Sequence, residues 1–232
     1  HKGFIPWDDD IDICMTRENF YRLERLMAED KTTPFKLLYL DTEENYTLPL
    51  PKVIDTRTSL SILSQKEKMK LGVFVDVFIL DNVPDDDKER EKFFKKLEFY
   101  QHLWTISQYK RVKLQNPKLK TRIRRILETG IYLTNPRVFA KKLDKIAKKY
   151  YNTECSRMGT MSFAVTNRRK QALNKSIFSN GMQMQFENKE YFIPKKYDEY
   201  LRVFYNDYMQ LPPVEERVSN HSLLVFVKDE TV

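Results

Sequence analysis

The sequence has 232 residues, of which 41% are hydrophobic and 32% charged, a balance that predicts one large folded domain, alone or with an appended lobe, and excludes a disordered chain. Its formal net charge of +8 favours an anionic partner, such as nucleic acid, a phospholipid surface or a phosphorylated substrate. The spacing of its five glycines excludes a Walker loop and a dinucleotide-binding fingerprint, its two distant cysteines form no zinc or redox motif, and no apolar run is long enough to span a membrane.

The first part of the chain predicts strands around one helix. Thr16 stands at an N-cap position and apolar residues follow it at helical spacing, so we predict a helix over 17–29. Strands are predicted over 35–40, 48–54 and 72–80. The last of these is expected in the centre of a sheet, because it is rich in β-branched and aromatic residues.

The middle of the chain is rich in lysine and arginine and predicts a helical lobe. We predict three helices: one after the aspartates 85–87, one after Pro117 with the apolar residues Leu119, Ile123, Ile126 and Leu127 and a Gly130 C-cap, and one that begins at Asn135-Pro136. The basic side chains of this lobe either form ordinary solvated helix faces or bind an anionic partner.

The last part of the chain returns to mixed structure, with a predicted strand over 158–166, a hairpin over 182–193 that turns near Asn188, and a helix over 197–205. This order of segments predicts an α+β architecture with a helical subdomain. We expect a catalytic core over 1–87, a basic helical lobe over 88–157, and a mixed part over 158–232 that completes the core and the acceptor or donor site.

Four carboxylates stand among bulky apolar residues just before the first predicted helix, at Asp8, Asp9, Asp10 and Asp12. If residues 10–13 form a strand, Asp10 and Asp12 project from one face with Cα atoms about 6.5 Å apart, while Ile11 and Ile13 point to the core. Two such carboxylates can chelate one hard cation. Because Mg²⁺ typically binds one or two protein carboxylates together with substrate phosphates, the pair also predicts a phosphate-bearing substrate.

Asp76 is the only charged residue in its apolar run. Burying an unpaired carboxylate is costly, so Asp76 needs a cation, a hydrogen-bonding partner or exposure at a cleft. If its strand lies beside the first one, three carboxylates converge on a single metal site, which has room for one ion or for two ions about 3.5–4 Å apart.

Other interpretations of the acidic cluster were weighed against the same residues. An EF-hand is excluded, because Ile13 and Asn19 occupy the positions of its glycine and its glutamate. A phosphatase-type aspartyl nucleophile is disfavoured, because no apolar strand precedes Asp10. A glycosyltransferase with an Asp-x-Asp motif and an acidic turn that merely caps the helix stay open. So does a non-catalytic protein that binds nucleic acid through its basic lobe, although the isolated Asp76 speaks against it.

The string HKGFIPWDDDIDI over residues 1–13 resembles the signature of the LicD family of phosphotransferases, which belongs to the nucleotidyltransferase superfamily and includes the fukutin-related proteins. The segment 74–84 resembles the second acidic segment of that family. A C-terminal pattern agrees as well, through Phe186-Glu187, Phe192, Pro194, Tyr197, Tyr200-Leu201, Tyr205, Asp207-Tyr208, Pro212-Pro213 and His221. The resemblance spans most of the chain and is weak over 88–157.

The resemblance implies a nucleotidyltransferase-like mixed β-sheet flanked by helices. It also implies Mg²⁺-dependent transfer, with Mn²⁺ as the alternative ion, of phosphocholine or a related alcohol phosphate. The donor would be CDP-linked, and the acceptor a hydroxyl of a cell-surface glycan such as teichoic acid, lipopolysaccharide or capsule. By motif position, Asp10, Asp12 and Asp76 are the metal-binding and catalytic carboxylates. A Gly-Ser or Gly-Thr turn of the superfamily would precede residue 1, and Asn206 stands where a glycine is common.

The remaining candidate site residues are expected to bind the donor or the acceptor: Trp7, Asp8, Asp9, Lys52, Arg57, Tyr205, Asp207 and His221. Lys52 and Arg57 are candidates for the donor diphosphate, with a solvated surface role as the alternative. Aromatic residues could form a cage for choline, namely Trp7, Tyr197, Tyr200, Tyr205 and Tyr208, although the spacing of Tyr197 and Tyr200 also suits core residues of one helix. His221 is a candidate for phosphate binding or proton transfer.

From the same resemblance we expect a cytoplasmic protein near the inner face of the membrane, with no nucleic acid as its partner. Its acceptor would be a lipid-linked or nascent glycan, and the lysines between residues 141 and 149 would contact anionic lipid. What precedes residue 1 is unknown.

Overall fold

The computed structural model describes residues 2–62, 69–111, 118–164, 167–218 and 223–227. Its strands are β1 (Asp12–Thr16), β2 (Phe35–Leu38), β3 (Lys52–Asp55), β4 (Thr58–Ile62), β5 (Phe74–Val83), β6 (Arg157–Thr160), β7 (Leu173–Asn174), β8 (Gly181–Phe186), β9 (Lys189–Pro194) and β10 (Leu223–Val227). Its α-helices are α1 (Arg17–Glu29), α2 (Asp87–Gln108), α3 (Leu119–Leu127), α4 (Thr129–Leu133), α5 (Pro136–Ala147), α6 (Arg168–Gln171) and α7 (Tyr197–Tyr205).

A six-stranded mixed sheet is built around the ten-residue strand β5. β5 runs parallel to β1 and antiparallel to β3 and β6, while β2 pairs with β3 and β7 pairs with β6. The amide of Asp76 donates to the carbonyl of Ile11, and the next amide, of Val77, donates to Pro51. Successive amides of a strand point to opposite edges, so β1 and β3 flank this part of β5 on its two sides.

The helical lobe and the sheet share one hydrophobic core. A single cluster of buried side chains includes Leu97 and Trp104 of α2, Leu143 of α5, Ile79 of β5 and Phe20 of α1. Burial of these large side chains supplies the main driving force that holds α2 and α5 to the sheet. The mixture of helices and strands confirms the predicted α+β class, while the predicted division into three segments stays a prediction.

Most predicted elements are confirmed where a local signal marks their ends. Thr16 caps α1, since its hydroxyl accepts a hydrogen bond from the amide of Asn19 at 3.3 Å. Asn135 caps α5 in the same way through the amide of Arg137. The hairpin β8–β9 and the helix α7 also lie where the pattern predicts them, with bounds that differ by no more than one residue.

Three local predictions are wrong. Ile11 and Ile13 are not buried in the core but are 44% and 41% exposed. Ile13 shares a face of the sheet with the buried Val77, but among the described strands β1 is paired only with β5. Gly130 does not end a helix. It lies inside α4, and none of the described glycines has the positive φ of a glycine cap. The strand predicted over 158–166 ends at Thr160, and beyond it the carbonyls of Met161 and Ala164 accept hydrogen bonds from the side chains of Arg168 and Gln101. Residues 165 and 166 lie outside the described residues.

Candidate active site

Asp76 lies on the central strand between two residues that face it across the sheet. It is in register with Asp12 of β1 on one side and with Lys52 of β3 on the other. Because residues in register share a face of the sheet, the three side chains converge at one point. The convergence of the two strands that carry Asp12 and Asp76 was predicted from the sequence. The position of Lys52 beside them was not.

Asp10 completes a group of three carboxylates. One oxygen of each of Asp10, Asp12 and Asp76 lies within 4.8 Å of the oxygens of the other two. Asp10 belongs to a second such group with Asp8 and Asp9, which are exposed. Asp8, Asp9 and Asp12 are exposed, Asp10 is partly buried and Asp76 is buried, so the carboxylates connect the surface with the interior of the sheet.

The electrostatics of the group fit a hard divalent cation. The pKa of Asp12 is raised to about 6, first because its carboxyl is partly shielded from water, then because Asp10 and Asp76 lie beside it. The three carboxylates repel one another, and a bound divalent cation relieves this repulsion. Mg²⁺ suits the group because it prefers carboxylate oxygens. The residues present could therefore hold such an ion.

Lys52 supplies positive charge at the buried end of the group. Its ammonium donates to Oδ1 of Asp76 and lies 3.4 Å from the ring centroid of Phe74. Both partners of the ion pair are buried, with Lys52 5% and Asp76 7% exposed. Burial lowers the pKa of Lys52, and Asp76 offsets part of that effect. Of the three possibilities predicted for Asp76, the structure shows the cation.

The hairpin β8–β9 holds the start of the acidic segment. Glu187, at the hairpin turn, accepts a hydrogen bond from the amide of Phe4 at 2.9 Å, and its own amide donates to the carbonyl of Lys2 at 2.7 Å. The rings of Phe4 and Phe186 pack edge to face with centroids 4.9 Å apart. Residues about 180 positions apart in sequence therefore fix the approach to Asp8–Asp12.

An aromatic pocket of about 280 Å³ opens beside Asp12. Its rings come mainly from Phe178, Tyr200, Phe204 and Tyr205, and Asp12 lines it as well. Tyr200 packs against Phe178 and Phe204, with centroids 5.9 and 4.8 Å away. Packing around the Tyr205 hydroxyl raises its pKa, and so do the nearby Asp12, Asp8 and Asp10. Aromatic faces next to a carboxylate make a favourable site for an organic cation.

A sequence model described as LicD/FKTN/FKRP, nucleotidyltransferase domain, matches residues 1–118, which is just over half of the chain. The chain belongs to the LicD family. It is 28% identical over 233 aligned residues to the lipopolysaccharide cholinephosphotransferase LicD of Haemophilus influenzae, and the alignment covers 95% of this chain and 81% of that protein. No solved structure matches the chain.

Membership of the LicD family confirms the resemblance identified from the sequence and the prediction that the chain is a transferase of this type. The match includes the whole acidic segment and β5, so the three converging carboxylates lie within the part that defines the family. The nucleotidyltransferase-like arrangement of the sheet stays a prediction. Within the described residues, no helix combines the length and the apolar character needed to cross a bilayer.

Other predicted site residues of this LicD-family chain lie away from the carboxylates. Arg57 follows β3 and pairs with Asp55 at 2.7 Å. Lys52 is the first residue of β3 and Asp55 is the last, about 10 Å further along the strand. Arg57 lies beyond Asp55, at the end of β3 away from Lys52. Asp207 lies in the turn after α7, and no described contact joins it to the carboxylate group. His221 lies outside the described residues.

The predicted aromatic cage is only partly assembled. Tyr200 and Tyr205 line the aromatic pocket. Tyr208 donates instead to Asp198 at 2.8 Å, and the ring of Trp7 lies 5.4 Å from the guanidinium of Arg217. Phe204 was not among the predicted cage residues, although its spacing of four from Tyr200 on α7 could have revealed it. Phe178 was not predicted either, because it lies outside every predicted element and gave no local signal.

The lysines of the basic lobe line a groove between α2 and α5. This lysine groove has a volume of about 670 Å³ and contains Lys88, Lys92, Lys96, Lys142, Lys145 and Lys149. Asp86, at one end of the groove, follows Val83, the last residue of β5. The distance along β5 from Asp76 to Val83 is about 23 Å. The groove is therefore separate from the carboxylate site, and contact of its lysines with lipid stays a prediction.

A buried ionic network behind the sheet was not predicted. Arg17, the first residue of α1, donates to both carboxylate oxygens of Asp81 on β5 and lies 2.9 Å from Asp144 of α5. Asp144 also accepts from the hydroxyl of Tyr39 and pairs with Lys148 at 2.9 Å. Because Arg17, Asp81 and Asp144 are nearly inaccessible to water, the network fixes α1 and α5 against β5, the strand that carries Asp76.

Proposed function

We propose that this chain transfers phosphocholine, or a related alcohol phosphate, from a CDP-linked donor to a hydroxyl of a cell-surface glycan. Its relative from Haemophilus influenzae is named a lipopolysaccharide cholinephosphotransferase. The observation that carries the proposal is the double position of Asp12. This residue belongs to the three-carboxylate group and also lines the aromatic pocket, so a cationic head group in the pocket lies beside a site for the donor phosphates.

The proposed cofactor is Mg²⁺, with Mn²⁺ as the alternative, held by Asp10, Asp12 and Asp76. When bound, such an ion supplies charge neutralisation for the donor phosphates and for the leaving nucleotide. Support comes from the donor set itself, which is made of carboxylate oxygens close enough to share one ion.

The residues of the chain have separate tasks in this proposal. Lys52 places its positive charge beside Asp76 at the buried end of the site, which favours the charged carboxylate. Phe178, Tyr200 and Phe204 surround the head group and attract its positive charge through their ring faces. Asp76 is our candidate for accepting the proton of the attacking hydroxyl.

The aromatic pocket favours phosphocholine over a nucleotide sugar as the donor. A quaternary ammonium is attracted by aromatic faces and by the carboxylate of Asp12, whereas a sugar calls for hydrogen-bonding groups. Besides Asp12 and the hydroxyls of Tyr200 and Tyr205, the pocket is lined by two neutral polar side chains, Thr160 and Gln171, and the Thr160 hydroxyl donates to the Gln171 side chain. The glycosyltransferase alternative would be supported by hydrolysis of UDP-sugars at the same site.

The test is isothermal titration of CDP-choline into the protein, with Mg²⁺ and with EDTA, followed by assay of phosphocholine transfer to a lipopolysaccharide fragment. We expect binding that requires Mg²⁺. The substitution Asp12→Asn is expected to lower transfer by more than about 100-fold, because even changes to groups behind metal ligands cost 10–100-fold.

A matched control is Asp41→Asn, which removes an exposed carboxylate from the loop after β2 and is expected to leave binding and transfer unchanged. Binding of CDP-choline that is equally tight in EDTA would overturn the metal part of the proposal. Metal-dependent binding of CDP-linked alditols but not of CDP-choline would keep the reaction class and replace choline as the transferred alcohol.

A further inference from the structure

Helix α3 has an apolar face that no other part of the described chain covers. Leu119, Ile123, Ile126 and Leu127 are between 50% and 76% exposed. At about 100° of rotation per residue these four side chains fall within an arc of about 100°, which is the stripe that a helix normally buries. None of the residues of α3 is buried. Exposed apolar stripes of this kind mark an interaction surface.

Basic side chains border the apolar face on both sides. On the helical wheel Lys120 lies next to Leu127, and Arg122 lies next to Ile126, and both basic residues are exposed. Over residues 118–133 the sequence contains five basic residues and one carboxylate, Glu128, which pairs with Arg124 at 3.5 Å. The surface therefore combines apolar contact with positive charge.

The opposite side of this segment is fixed to the protein. The guanidinium of Arg111, just beyond α2, donates to the carbonyl of Arg125 at 3.2 Å and to the hydroxyl of Thr129 at 3.4 Å. It also lies 4.4 Å from the ring centroid of Tyr132 in α4. These contacts hold α3 and α4 with the apolar face of α3 directed outward, where Leu133 adds another exposed apolar side chain.

We propose that α3 docks on an anionic membrane surface, with its apolar face among the upper acyl chains and its basic residues on the lipid phosphates. This combination is typical of helices that lie in the membrane interface. A second copy of the chain fits less well, because α3 is only about 14 Å long and a stable protein interface takes about 800 Å² from each partner. The inference does not depend on the transfer reaction.

The test is flotation with vesicles of phosphatidylcholine and phosphatidylglycerol, in EDTA. We expect the wild-type chain to float with these vesicles and the variant Ile123→Ser/Ile126→Ser/Leu127→Ser to show a partition coefficient at least about tenfold lower. The control Leu26→Ser/Phe99→Ser/Val138→Ser removes three exposed apolar side chains from other helices and is expected to float like the wild type. The variant Asp12→Asn is also expected to float like the wild type, which separates docking from catalysis.

A second variant, Lys120→Gln/Arg122→Gln, keeps the apolar face and is expected to weaken flotation as well, and more strongly at low salt. Circular dichroism of each variant shows whether it is folded. Four results would overturn the proposal: no flotation of the wild type, unchanged flotation of both folded α3 variants, loss only in Lys142→Gln/Lys145→Gln/Lys149→Gln, or a dimer in solution that the α3 variants dissociate.

Discussion

Lys52 and Asp76 lie opposite each other on adjacent antiparallel strands and form a buried ion pair at the inner end of the carboxylate site. Asp12 flanks the same aspartate from the other side. A permanent cation of the protein and a candidate metal site therefore share one carboxylate. This arrangement makes the stability of the protein depend on which positive charges are present.

The substitution Lys52→Met tests that dependence. It leaves the Asp76 carboxylate buried without its ammonium, and we expect a loss of about 3–5 kcal/mol in the free energy of unfolding in EDTA. In Mg²⁺ the loss is expected to be smaller, because the ion supplies positive charge to the same carboxylate. Denaturant unfolding of the wild type and the variant, in EDTA and in Mg²⁺, measures both losses. Lys36→Met, in an exposed pair with Glu43, is the control and is expected to cost about 0–1 kcal/mol in either buffer.

Asp12 predicts how metal binding depends on pH. Its folded pKa of about 6 lies above the ordinary 3.8, so the folded protein binds this proton more tightly than the unfolded chain does. The contribution of Asp12 to the stability of the metal-free protein therefore declines as pH rises from about 4 to about 6. Mg²⁺ competes with the same proton, so the stabilisation by Mg²⁺ is expected to grow as pH rises through about 6.

Thermal unfolding at pH about 5 and at pH about 7.5, each with and without Mg²⁺, measures this effect. Asp12→Asn is expected to show a small Mg²⁺ effect at both values. A stabilisation by Mg²⁺ that is equal at the two pH values in the wild type would contradict the assignment of Asp12 as a ligand.

The aromatic pocket predicts a change in donor affinity. Phe204→Leu removes one aromatic face but keeps an apolar side chain, and we expect KM for CDP-choline to rise about 3–30-fold with little change in kcat. Steady-state kinetics with varied donor concentration measures both constants. Tyr191→Leu, on the exposed surface of the hairpin, serves as the comparison. A fall in kcat with an unchanged KM would place Phe204 outside the donor site.

The turn after α7 predicts a stabilising substitution. Asn206 has φ 55° and ψ −114°, a backbone conformation that glycine adopts far more easily than asparagine. Asn206→Gly is expected to raise the free energy of unfolding by about 1 kcal/mol, because relief of about 1–3 kcal/mol of strain exceeds the entropy that glycine adds to the unfolded chain. At Asn188, where φ is not positive, the same change is expected to be neutral or destabilising.

The network behind the sheet predicts a large loss of stability. Arg17→Met leaves Asp81 and Asp144 buried without their shared guanidinium, and we expect a cost of about 3–5 kcal/mol in denaturant unfolding. Arg57→Met removes an exposed partner of Asp55 and provides the matched control. A cost of less than about 1 kcal/mol for Arg17→Met would mean that water or a rearrangement compensates the two carboxylates.

The sequence predicted the parts of the fold that local chemistry determines. Thr16 and Asn135 marked helix starts, and the alternation around Asn188 marked the hairpin. It also predicted that Asp12 and Asp76 converge if their strands are neighbours, because a carboxylate in an apolar strand needs a partner. These inferences use residues close in sequence or a single charge that must be compensated.

The parts that failed depend on tertiary contacts. The burial of Ile13 depends on what lies beyond the edge of β1. In the same way, the burial of the apolar face of α3 depends on its neighbours. The spacing of apolar residues in the sequence reports neither. The partner of Asp76 is 24 residues away on another strand, so only the register of β3 reveals it. Phe178 reached the aromatic pocket from a segment without any pattern.

The contact of Glu187 with the start of the acidic segment bears on the order in which the site forms during synthesis. A hydrogen bond between residues 183 positions apart joins the two parts, from the amide of Phe4 to the side chain of Glu187. A nascent chain that has emerged only as far as β7 already contains every strand of the central sheet but lacks the hairpin that holds Phe4. The pairing of β1 with β5 already places Asp12 beside Asp76 in such a chain, whereas the segment before Asp12 and the pocket rings of α7 are positioned later. An incomplete chain is therefore expected to fold its sheet without binding the proposed donor.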